Sequence, residues 1–180
     1  MKRWTLLKRW TLLVLIILHA ILLVVAYILQ GMVFPYLRFF GLVPLLLPIV
    51  TAGTAVYQGS FAGGVVGIFA GILCDISFNE PAGTFTVLLA FTGLFVGVMA
   101  DTVMARGVVV YFISCAAVLA VSAFAQMFPL LFFESVSPRP LLTMALRQTL
   151  YSLIYAFPLW FFVRALGKWA QKISPTGRPL

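Results

Sequence analysis

Acidic side chains are nearly missing from this 180-residue chain: Asp75, Glu80, Asp101 and Glu134 are the only four, against 12 Lys and Arg. Histidine occurs once, as His19, and cysteine twice, as Cys74 and Cys115. A hydrolase or metalloenzyme gathers carboxylates, imidazoles or thiolates in one place, and this inventory supplies almost no raw material for one. There is no Ser-His-Asp set, HExxH, GxGxxG or Walker loop. The cysteines lack CxxC spacing and lie in apolar surroundings, so they read as small buried hydrophobes rather than a disulfide or a metal site. The expectation is a protein that is not an enzyme, with no cofactor and no metal.

Charge of either sign is scarce. Only 9% of residues are charged and 63% are hydrophobic, with a mean hydropathy of +1.14. A soluble globular chain is typically about 25% charged and about 45–50% apolar. So few charges cannot cover the surface of a water-soluble fold this size. The long apolar runs between the charges must face lipid or one another, which makes residues 1–180 a single integral membrane domain. Eight of the 12 basic residues sit at the two ends: Lys2, Arg3, Lys8, Arg9, Arg164, Lys168, Lys172 and Arg178. Basic flanks hold helix ends at an anionic cytoplasmic membrane face, so the net charge of +8 reads as a topology signal and not as nucleic-acid binding.

A hydrocarbon core of about 30 Å needs about 20 helical residues. On that measure the runs predict six spans, over about 12–29, 41–57, 60–74, 84–100, 108–128 and 141–166, with a basic N-terminus (1–11) and a basic tail (167–180). Pro48 is expected to kink the second span, and the third is short and glycine-rich. Asp75 to Gly83 reads as a loop, from its polar residues, Pro81 and Gly83. Even parity puts both termini on one side. If that side is cytoplasmic, it collects nine basic residues (the eight terminal ones and Arg106), against Arg38 and Arg139 outside. Trp4, Trp10, Trp160 and Trp169 fall near the same ends, where amphipathic rings sit at the headgroup level.

What the chain does have is a glycine ladder. Gly63, Gly67 and Gly71 recur every four residues, and Asp75 extends the series along one helical stripe. Gly93 and Gly97 form a second such face on the fourth span. Small residues at this spacing let helix backbones approach closely, so the third and fourth spans are expected to pack through these stripes. For Asp75 three roles compete: an interfacial loop residue, a cap for the following turn, or a polar fastener to another span. Arg147 lies about two turns into the sixth span, where a charge is costly unless it is paired or snorkels to the headgroups; Glu134 and Asp75 are candidate partners. Gln148 beside it faces another direction. His19, mid-span with no acid at helical spacing, is expected to make a polar interhelical contact. No carboxylate lies mid-span, as an ion-coupled transporter would require.

The order of these features resembles the MreD family of rod shape-determining membrane proteins. The likeness rests on a basic N-terminus, a first span and a Pro44-opened second span. The run Gly63-x3-Gly67-x3-Gly71-x3-Asp75 and the turn Pro81-Ala82-Gly83 then follow. Its specific part covers about Leu42 to Gly83; the family often opens its second span with Pro-Asp, where this chain has Pro44-Leu45. The resemblance implies a multi-pass, non-catalytic subunit of the cell-elongation machinery in the bacterial cytoplasmic membrane. Such a subunit binds MreC and helps link MreB filaments to the RodA–penicillin-binding-protein synthase, with no small-molecule substrate. It also implies an all-α, six-helix fold similar to the S-components of energy-coupling-factor vitamin transporters, with both termini cytoplasmic. That similarity supplies an alternative function, substrate binding in such a transporter. It would call for an outer pocket closed by the loop Gln30–Phe40, with Tyr36, Arg38, Arg147 and Gln148 nearby.

Overall fold

The computed structural model describes residues 2–36, 43–78, 83–102, 107–133 and 138–173, with 2–13, 15, 78, 128–133, 138 and 170–173 by backbone alone. All regular structure among the described residues is helical: α1 Lys2–Ile28, α2 Leu46–Gln58, α3 Ser60–Phe78, α4 Thr84–Thr102, α5 Val108–Phe133 and α6 Pro138–Ile173. A π-helical turn, Leu29–Val33, carries α1 onward, so Gln30 belongs to the first helix and not to the loop after it. Five of these helices are long and apolar enough to cross a membrane. The protein is a multi-pass helical membrane protein.

The arrangement is a ring around a core. Helices α1, α3, α4, α5 and α6 each pack on α2 and close on one another in the order α1, α3, α4, α5, α6 and back to α1. Every residue of α2 is therefore buried. The ring helices instead expose large apolar side chains outward, among them Ile21, Phe69, Phe91, Ile113 and Phe161, as a lipid-facing surface requires.

Several expected boundaries move. Helix α2 begins at Leu46 rather than 41, and its 13 residues rise only about 20 Å. The non-helical residues Val43–Leu45 lead into it and add up to about 10 Å when extended, so helix and lead-in together match a core of about 30 Å. Pro48 does not kink the helix. It occupies the third helical position, within the first turn, where a backbone N–H has no intrahelical partner in any case. Helix α3 continues to Phe78, which puts Asp75 inside the helix and not in a loop. Helix α6 is longer at both ends than expected, with 36 residues.

Helix directions follow from contacts between named residues. Gly59, at φ +96°, reverses the chain between α2 and α3 with one residue, a conformation L side chains rarely adopt. Gln30 meets Leu46 and His19 meets Gln58, so α1 runs antiparallel to α2. Ser152 meets Leu45 and Gly167 packs on Tyr57, so α6 runs parallel to it. The start of α1 and the end of α6 consequently lie at the same end of the bundle, the end marked by Gly59.

Candidate functional site

The glycine stripe lies inside the molecule. A methyl group added to Gly63 would sit 2.5 Å from the Ala55 Cβ and 2.8 Å from the Gly93 carbonyl oxygen. One on Gly67 would run into the Leu89 carbonyl, and one on Gly71 would lie 2.6 Å from the Phe85 carbonyl oxygen. From the other side, Gly93 meets Gly63 and Gly97 meets the backbone of Ser60. Helices α3 and α4 thus run antiparallel with their backbones in contact over about three turns. Lipid tails are as apolar as leucine, so this packing is what favours helix association over solvation by lipid.

The stripe ends in a clasp. At Asp75 the backbones are close enough for one short carboxylate to reach the N-terminus of α4. Oδ1 accepts from the Phe85 N–H at 2.8 Å, and Oδ2 accepts from the Gly83 and Thr86 N–H groups at 3.0 and 3.2 Å and from the Thr86 hydroxyl at 2.7 Å. The first N–H groups of a helix have no partner in their own helix, and the helix dipole favours an anion there. In most helices the cap comes from the preceding residue; here that residue is Gly83, at φ +103°, and the cap comes from the neighbouring helix. Asp75 is therefore a fastener between spans. Both of its oxygens are engaged by α4, not by Arg147.

A second capping arrangement, which sequence reasoning missed, holds α2. Its N-terminus is buried, so four backbone donors need partners. Gln30 Oε1 accepts from the Leu46 and Leu47 N–H groups at 2.9 and 3.2 Å, Ser152 Oγ accepts from Leu45 N–H at 3.0 Å, and the fourth position is Pro48, which has no N–H. The account closes. Near the other end, the Gln58 carboxamide Nε2 donates to His19 Nε2 at 2.7 Å, both residues being buried. Along α1 the inward residues are His19, Leu23, Ala26 and Gln30, spaced by four, three and four, the seam spacing of packed helices. Two polar pins about 16 Å apart thus fix α1 to the central helix.

The remaining candidates are dispersed. Arg147 is exposed, and it stands 17 residues, about 25 Å, from Arg164, which is also exposed and lies over the Trp160 ring at 4.8 Å. Arg147 lies within the apolar stretch Arg139–Trp169, with its side chain on the outside of the bundle, from where a long basic side chain reaches toward the headgroups. Gln148 points inward and donates to the Val43 carbonyl at 3.3 Å. Gly83 serves the clasp turn. Tyr36 is exposed rather than turned into a pocket; Arg38, Glu80, Arg106, Glu134 and Arg178 lie outside the described residues, as do the Trp4 and Trp10 side chains. Two further close contacts were not anticipated: Gly53 against Tyr111 and Val163, and Gly167 against Tyr57. Among the described residues no group of three His, Cys, Asp or Glu is placed to hold a metal ion.

These features define a class: a polytopic helical protein in which Asp75, Gln30, His19, Gln58 and Ser152 fasten one helix to another. Comparison with protein-family models, with curated proteins and with solved structures returns no match.

Proposed function

We propose that this chain is a non-catalytic scaffold subunit of the bacterial cell-elongation (rod shape) complex in the cytoplasmic membrane. In this role it binds the bitopic protein MreC and helps couple MreB filaments to the RodA–penicillin-binding-protein synthase. The observation that carries the proposal is the unity of the Gly63–Gly67–Gly71–Asp75 run with Gly83. The residues that resemble the family's motif act together as one clasp between α3 and α4. A motif spent on internal rigidity suits a protein that presents a fixed helical surface to partners. A non-catalytic role is supported by the use of polar groups: Asp75 is consumed by α4 and His19 is bonded to Gln58. A cytoplasmic placement of both termini is supported by the nine-to-two bias of basic residues and by the common end shared by α1 and α6. The similarity to vitamin-transporter S-components belongs to the same proposal.

The test is co-purification. The full chain, co-expressed with an MreC-type partner and extracted in mild detergent, should bring that partner down at near-equimolar yield. Asp75→Ala, which unfastens α4, should reduce the yield severalfold while the chain still inserts. Failure of the folded wild-type chain to retain the partner would refute the proposal.

A further inference from the structure

At the Gly59 end of the bundle, α6 carries two cations with no anion of their own. Arg164 and Lys168 are exposed and four residues apart, so their side chains leave the helix within about 6 Å of each other. Neither α6 nor the helices packed on it, α1, α2 and α5, contain an aspartate or glutamate. Among the described residues the acid at this end is Asp101, which belongs to α4, a helix that does not adjoin α6 in the ring. Like charges at this spacing repel. The helix C-terminus does not relieve them either, because it favours cations within its last turn, and α6 runs on to Ile173. A counter-charge is called for from outside these helices.

Arg164 is set in place rather than free. Its guanidinium lies over the Trp160 ring, 4.8 Å from the centroid. That ring is itself fixed: Trp160 Nε1 donates to the Tyr57 hydroxyl at 2.7 Å, and Phe161 stands edge-on to it with centroids 4.8 Å apart. Toward the bilayer centre the same side of α6 turns apolar. Phe161 and Phe157, 56% and 58% exposed, pack edge to face along it. From Lys168 to Phe157 is about 16 Å along the helix, the depth of one leaflet of a core of about 30 Å. Gly167 packs on Tyr57, in the last turn of α2, so the cations stand at the end of the bundle, where lipid headgroups lie. A fixed guanidinium and an ammonium at the margin, with a rigid apolar strip of leaflet length running inward, match a single anionic amphiphile. A free anion would leave the strip unused.

We propose that this side of α6 binds one anionic phospholipid, with its phosphate held by Arg164 and Lys168 and an acyl chain laid along Phe161 and Phe157. Trp160 is a positioning residue: it holds the guanidinium ready, which reduces the ordering cost of binding. General attraction of a basic flank to an anionic surface requires no such fixed geometry. The inference is independent of the scaffold proposal.

Native mass spectrometry of the purified full chain in mild detergent tests this, with phosphatidylglycerol and phosphatidylcholine of identical acyl chains added in equal amounts. One phosphatidylglycerol should be retained severalfold more than phosphatidylcholine. Arg164→Gln combined with Lys168→Gln should lower its occupancy about tenfold. Arg139→Gln combined with Arg147→Gln removes as much charge from the other end of α6 and should not. Trp160→Leu changes no charge and should still lower occupancy severalfold. In each variant, Cys74 and Cys115 inert to maleimide verify folding; if Trp160→Leu fails that check, Tyr57→Phe, which releases the ring by removing one hydroxyl, replaces it with the same expectation. Equal retention of the two lipids would overturn the proposal, as would retention unmoved by the Arg164 and Lys168 changes. Retention unmoved in the folded ring variant would overturn it too, because charge alone would then account for binding. So would displacement of the lipid by millimolar inorganic phosphate, which would assign the pair to a free anion.

Discussion

Replacing Asp75 with asparagine is the sharpest perturbation of the clasp, because it preserves shape and removes charge. The carboxylate accepts four hydrogen bonds, at 2.8, 3.0, 3.2 and 2.7 Å. An asparagine that keeps its oxygen toward Gly83 and Thr86 turns its NH2 toward the Phe85 N–H, donor against donor, beside a residue with no exposure. One charge-assisted bond is then lost, worth about 1.5–3 kcal/mol, and the helix-terminus attraction falls by about 0.3–2 kcal/mol. The other three bonds weaken to neutral ones. We expect Asp75→Asn to destabilise the protein by about 2–4 kcal/mol. For a chain of this length that lowers Tm by about 5–15 °C. The native thiols provide the assay: Cys74, adjacent to the clasp, and Cys115 are both free and buried. A maleimide fluorophore present during a thermal ramp in detergent should therefore report unfolding directly. Asp75→Glu should not rescue, since its extra methylene must fit where α3 and α4 backbones touch. An asparagine variant melting within a degree of wild type would refute the reasoning.

Gly67→Ala should cost about 1–3 kcal/mol or more by forcing α3 from the Leu89 carbonyl, whereas Gly31→Ala, with nothing within 4 Å of the added methyl, should be neutral in the same thiol-exposure melt. Gln30→Leu leaves the Leu46 and Leu47 N–H groups buried and unpaired and should cost about 2–6 kcal/mol; it should also loosen α1, read as faster hydrogen exchange along Leu23–Gln30. Pro48→Ala restores a backbone donor that has no acceptor, so it should destabilise by about 1–2 kcal/mol rather than relieve a kink. Impermeant labelling of cysteines placed at both chain ends should report one face of the membrane, and labelling of opposite faces would refute the six-crossing arrangement.

How legible the structure was depends on the kind of residue. The α3–α4 contact could be read from glycine spacing, because only glycine leaves a groove that a second backbone fills. The role of Asp75 was open among three readings, because whether a carboxylate caps its own turn or a neighbour's depends on an interhelical distance that no local pattern encodes. Pro48 misled for a similar reason: proline kinks a helix interior but suits a first turn, and where α2 begins is decided by Gln30 and Ser152, from helices before and after it. In α1 the signal was present but inverted. With leucine and valine all round, no apolar stripe marks the inner face, and the two polar residues, His19 and Gln30, mark it instead.

Membrane embedding and the approximate positions of the helices were determined by the sequence alone, because the free energy of moving a side chain from water into hydrocarbon is a local quantity that accumulates residue by residue. Which helix occupies the centre was decided only by the tertiary structure. Lipid and protein interior are almost equally apolar, so hydropathy cannot tell the encircled α2 from the lipid-facing helices around it. The distinction shows in hydrogen bonds made to the N-terminal end of α2 from other helices, Gln30 with Leu46 and Ser152 with Leu45, pairs separated by 16 and 107 residues.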